Sequence, residues 1–169
     1  MAILEMKWIL IAGVIAAILL VLYFTGHKTV HTELVIPASP DKVWAVLMDT
    51  PGYAEWNPVL VPAAEELREG AKIQYRMIQP DGKQSPVEST VREIVEDKKL
   101  YQFGGMRGIL TFHHTYSLEE VPGGTRVTQH EEYYGIWVNF WDASWVEPAY
   151  ETVNLALSER VGSQGVVEP

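Results

Sequence analysis

The sequence contains no cysteine. That excludes a disulfide framework, a thiolate nucleophile and any cysteine-ligated zinc or iron–sulfur centre. Cations are scarce too: 13 Lys and Arg stand against 22 Asp and Glu, for a formal net charge of -9. No basic stripe compensates, so nucleic-acid binding and electrostatic docking on anionic lipid are not expected. There is no Gly-x-Ser-x-Gly elbow, no phosphate-binding glycine loop and no internal repeat. Gly104, Gly105 and Gly108 read as the connection between two strands, because no helical pattern follows them. Disorder is excluded by composition, with 47% hydrophobic and 21% charged residues.

What is present begins with a long apolar run. Trp8 to Phe24 holds 17 residues without a charge, of which 11 are Ile, Leu, Val or Phe. With Thr25 and Gly26 it spans about 28 Å as a helix, close to the hydrocarbon thickness of a bilayer. Insertion is favoured by roughly 3–5 kcal/mol at most. Trp8 at one end and Tyr23 with Phe24 at the other stand where interfacial anchors belong, and Ile11, Ile15, Leu19 and Leu22 would face lipid. A cleaved signal peptide has a shorter apolar region followed by small residues in an Ala-x-Ala-like pattern, and Tyr23 to Lys28 (YFTGHK) offers no such cleavage site. Residues 1–28 are therefore expected to form a single-pass membrane anchor. Lys7 and Lys28 nearly balance across it, so orientation rests on the short N-terminal head, which favours a non-cytoplasmic domain. Ala12, Gly13, Ala16 and Ala17 cluster on the anchor and suit packing against another helix.

Residues 29–161 are expected to be one domain, with 162–169 a frayed tail. Thr29 to Ile36 reads as a strand ending at Pro37. Ser39 as N-cap and Pro40 at the first position open a helix carrying Val43, Trp44 and Leu47. Tyr53 to Trp56 is a short helical turn. Ile73, Tyr75 and Met77 then alternate, and Pro80-Asp81-Gly82 turns the chain. Strands follow over Pro86–Glu96, Leu100–Phe103, Ile109–Val121 and Thr125–Tyr134. From Ile136 to about Val161 the period is helical, with a break expected at Pro148. Consecutive hairpins covered by one long helix give an α+β fold with an antiparallel sheet.

Several segments resemble one superfamily. They are Ile36 through Trp44 (IPASPDKVW), Asp49 through Tyr53, Trp56-Asn57-Pro58, Gly70 before a strand, Thr115 through Leu118, and Gly123 through Thr128. In this order they resemble the START-like polyketide cyclase/dehydrase (SRPBCC) superfamily, over about Thr29 to Arg160. The resemblance implies a helix-grip fold, in which a curved antiparallel sheet wraps the C-terminal helix around an apolar cavity. It implies hydrophobic ligands such as lipids, quinones or polyketides. Members include enzymes, carriers and accessory factors, so fold is implied more firmly than chemistry.

Against that fold two constellations gain meaning. Trp137, Trp141 and Trp145 recur every four residues, which makes one stripe on the last helix, with Phe140 flanking it. The stripe serves core packing, ligand lining or a membrane- or partner-facing patch. If Val127 faces inward, alternation turns Gln129, Glu131 and Tyr133 inward, with Phe112, His114 and Tyr116 on the neighbouring strand. A buried Glu131 beside His114 is either a polar network that orients a ligand or an acid/base pair. Trp44, Trp56, Tyr75 and Met77 complete the expected ligand-binding set. His113 and His114 are adjacent on a strand, point to opposite faces and do not chelate one ion, so no metal and no cofactor is expected. Three functions remain open: a membrane-tethered binder of a hydrophobic small molecule, a single-span accessory subunit of a larger membrane complex, or a cyclase/dehydratase-type enzyme using Glu131 and His114.

Overall fold

The computed structural model describes residues 2–63 and 66–164, with side chains from Glu5 onward. The apolar run forms α1 (Ala2–Thr25), whose Glu5–Thr25 stretch is long and apolar enough to cross a membrane. None of it is buried against the rest of the chain. The chain enters β1 (His27–Ile36) after a single residue. The strand thus takes in His27 and Lys28, two residues earlier than the sequence pattern places it, and no linker separates helix from domain.

From β1 the chain passes through α2 (Pro40–Met48) and α3 (Tyr53–Trp56) to a seven-stranded antiparallel sheet. Its further strands are β2 (Leu60–Pro62), β3 (Lys72–Ile78), β4 (Gln84–Val95), β5 (Lys99–Met106), β6 (Leu110–Val121) and β7 (Gly124–Tyr134). The order is β1-β7-β6-β5-β4-β3-β2, so the first strand closes one edge and the short second strand the other. Pro40 opens α2 at the first turn, where a missing N–H costs nothing. Ser39 occupies the N-cap position with extended backbone but makes no capping bond. It hydrogen-bonds the Asp41 carboxylate instead.

Gly104 and Gly105 lie inside β5, leaving only Gly108 of that trio in the connection. A Cβ at Gly104 would strike the Phe112 ring and the Glu88 carbonyl, so this glycine answers a close approach within the sheet. The C-terminal helix also begins later than the tryptophan spacing suggests. Ile136–Asn139 is a 3-10 turn, and α4 (Val146–Gln164) starts two residues before Pro148. Pro148 therefore sits in the first turn, where proline is tolerated, and marks the start of the helix rather than a kink. The helix runs through Gly162 to Gln164, so that part of the supposed tail is ordered; residues 165–169 lie outside the described region.

Helix α4 buries Val146, Ala149, Tyr150, Val153, Asn154, Leu157 and Val161. Leu157 and Val161 belong to one core with Ile36 of β1, Ile73 of β3, Val91 of β4, Leu100 of β5 and Val127 of β7. A flat sheet carrying those strands would be about 24 Å wide, more than twice the width of one helix. The sheet curls around α4, and the fold is of the helix-grip type.

Candidate functional site

Strand alternation sets the inner face. In the observed register Phe112 pairs with Tyr133, His114 with Glu131, Tyr116 with Gln129 and Leu118 with Val127. All eight lie on the concave side. Between this face and the start of α4 lies a cavity of about 400 Å³. Tyr75, Met77, Phe112, His114, Tyr116, Glu131, Tyr133, Trp137, Trp141 and Trp145 line it. Three residues of the expected set do not. Trp44 packs in the core beneath α2, and Trp56 packs against Val59 and Val153. Gln129 is covered by α4: its amide donates to Tyr150 O (3.2 Å) and to Asn154 Oδ1 (2.7 Å). It faces inward as alternation requires, but helix, not cavity, lies over it.

The three tryptophans reach the cavity without sharing a helix. Trp137 belongs to the 3-10 turn, and Trp141 and Trp145 lie on the segment that leads into α4. Lys28 ties this segment down by donating to the Trp141 carbonyl. Trp141 meets Tyr133 edge-on with centroids 4.7 Å apart.

Glu131 is the buried carboxyl of the wall, 4% exposed. The hydroxyls of Tyr133 and Tyr150 both donate to its Oε2. Burial nevertheless dominates and raises its pKa to about 7, with the two tyrosine bonds acting in the opposite direction. Burial, and after it the Glu131 charge, push both phenols up. His114 is lowered to about 4 by burial and so stays neutral at pH 7. Its Nε2 stands 3.4 Å from Gln129 Oε1. Gln129 already donates through its amide nitrogen, so the histidine Nε2 is assigned the proton. His114 and Glu131 oppose each other across β6 and β7, and each is hydrogen-bonded to other groups: His114 to Gln129, Glu131 to Tyr133 and Tyr150. A second polar cluster lies on the far wall, where Tyr75 (3.0 Å) and Ser89 both donate to Gln102 Oε1. Burial pushes Tyr75 up to about 12.

Tyr53, Asn57, Ser89, Gln102 and Tyr150 also line the cavity. Of these Tyr150 carried a usable signal, since the period Val146-Ala149-Tyr150-Val153-Leu157 places it on the buried side of a helix. His113 points to the convex face, where its Nδ1 meets the Tyr101 hydroxyl at 2.7 Å. Among the described residues no group of three His, Asp or Glu is placed to hold a metal ion.

A family model described as polyketide cyclase / dehydrase and lipid transport matches residues 27–162. Solved structures share the fold at low identity. NE0264 from Nitrosomonas europaea is 15% identical with a TM-score of 0.64, covering 80% of this chain and 95% of its own. CV1439 from Chromobacterium violaceum is 16% identical with a TM-score of 0.65, covering 84% and 99%. Ms6760 from Mycobacterium smegmatis is 17% identical with a TM-score of 0.65, covering 84% and 94%. No curated protein matches the sequence.

Proposed function

The chain belongs to the polyketide cyclase / dehydrase and lipid transport family, and from that premise we propose that it is a membrane-tethered module that binds a hydrophobic small molecule. The observation that carries this reading is the cavity itself: about 400 Å³, walled by aromatic side chains, with one near-neutral carboxyl in it. Phe112, Trp137, Trp141 and Trp145 suit an apolar body. Both tyrosine bonds fall on Oε2 of Glu131, which leaves Oε1 for a hydroxyl or carbonyl of the guest. With its pKa near 7 the carboxyl donates when protonated and accepts when ionised. Helix α1 supports the tether, which keeps the cavity within reach of molecules dissolved in the bilayer and raises their effective concentration.

Native mass spectrometry of the full chain, purified from its own membranes in mild detergent, tests the reading. The expected spectrum shows a protomer carrying a reproducible hydrophobic mass, lost in Met77→Trp, which fills the cavity. A bare protomer in both proteins would overturn it. Co-purification with stoichiometric partners and no small molecule would favour an accessory subunit, for which the unpartnered Ala12, Gly13, Ala16 and Ala17 face of α1 is available.

A further inference from the structure

Four large apolar side chains of the domain stand exposed at one end. They are Met106 (63%), Ile109 (50%), Trp137 (56%) and Phe140 (65%). The ladder shows which end this is. His27 opposes Tyr134, Tyr134 opposes Thr111, and Thr111 opposes Gly105, so one rung crosses β1, β7, β6 and β5. Beyond that rung lie the β5–β6 tip, the 3-10 turn and the end of α1. They are bonded to one another. Trp137 N donates to Ile109 O (2.9 Å) and Ile136 N to Gly108 O (3.1 Å). Gly135 N donates to Gly26 O (2.9 Å). Asn139 Nδ2 donates to the Leu22 carbonyl (2.7 Å), and Thr25 Oγ1 to Asn139 Oδ1 (3.0 Å).

The last turn of α1 is therefore built into the domain rather than hung from it. Glu5–Thr25 covers about 31 Å as a helix, the thickness of a hydrocarbon core. If α1 crosses the bilayer, groups that touch Leu22 and Thr25 stand at its headgroup level. The exposed aromatics and the tip residues are at that level, and Trp is favoured there. Arg107, exposed on the same tip, suits lipid phosphate. Trp137 also lines the cavity while more than half exposed, and Gly105 and Leu110 beside it line the cavity too, so this end holds a mouth.

We propose that Met106, Ile109, Trp137 and Phe140 seat the domain in the headgroup layer of the bilayer that α1 enters, so that the cavity mouth opens to lipid rather than to water. The inference rests on the tethered reading given above. The natural absence of cysteine makes the test direct. An environment-sensitive fluorophore is attached to the full chain after Phe140→Cys, Ile109→Cys, Ile15→Cys or Val35→Cys, each at an exposed position, and each protein is placed in phosphatidylcholine nanodiscs. Val35 is the control, about 26 Å along β1 from His27. The expected result is that iodide quenches the probes at Ile109 and Phe140 about fivefold less than at Val35, and that nitroxide near the lipid headgroup quenches them. Water-exposed probes at Ile109 and Phe140, with the Ile15 probe in hydrocarbon, overturn the seat and leave the tether standing. A water-exposed Ile15 probe overturns both.

Discussion

Glu131 gives the cavity wall a pH dependence close to neutrality. Glu131 titrates near 4.5 in the unfolded chain and about 7 in the fold, so the folded form holds the proton more tightly. Its stabilising effect is complete below about 4.5 and is lost as pH rises through 7. Glu131→Gln keeps the shape and never ionises. The variant is expected to gain on the parent protein by an amount of order 3 kcal/mol between pH 5 and pH 8. Urea melts of both proteins at the two pH values measure it, and equal differences at both would refute the assignment. His114 works from the acid side: lowered to about 4, it costs stability as pH falls below its unfolded value of 6.5. Gln129 has a different role. It joins His114, Tyr150 and Asn154, and Asn154 in turn donates to Thr32 Oγ1 at 3.1 Å. Gln129→Leu strands these buried partners, with an expected loss of about 2–4 kcal/mol in chemical denaturation. Alternation alone assigns both Gln129 and Glu131 to the inner face. It does not tell which of them α4 covers, because that depends on where the helix crosses the sheet.

At the scale of elements, the strands with long alternating patterns and the proline-led α2 are legible in the sequence. Strand β2 is not, since three residues carry no period. The C-terminal region misleads for a physical reason. Trp137, Trp141 and Trp145 mimic a helical stripe, yet Gly135 (φ 127°) and the Asp142–Ser144 turn break the path, and the true period starts at Val146. Gly135 is also where three elements meet. A Cβ there would fall on the Ile109 carbonyl, and one at Gly26 would fall on the Gly135 carbonyl. Gly135→Ala is therefore expected to cost about 2–4 kcal/mol, through left-handed strain and displacement of the β5–β6 tip. Gly82→Ala also meets a positive φ (80°) but has open space around it, and should cost only about 1 kcal/mol. Thermal melts of the pair check this; equal losses would show that the close approach at Gly135 carries no weight.

For the whole molecule, charge and apolar surface point to opposite modes of membrane association. The chain carries -9 overall, so anionic lipid repels it on average, and at physiological salt that repulsion fades beyond about 8 Å. A peripheral protein held by charge would leave vesicles as salt rises. One held by α1 would not, because burial of apolar area does not depend on charge screening and is strengthened by excluded salts. Co-sedimentation of the full chain with phosphatidylcholine vesicles is therefore expected to stay unchanged from low salt to about 1 M NaCl. Adding anionic lipid should not tighten it. Two apolar-to-charged changes inside the run, Ile15→Lys and Leu19→Lys together, cost about 6 kcal/mol of insertion and should release the protein into the supernatant. Release of the unmodified chain by salt would place the attachment on the few cations instead, among them Arg107 and Lys28, and would remove α1 from its assigned part in function.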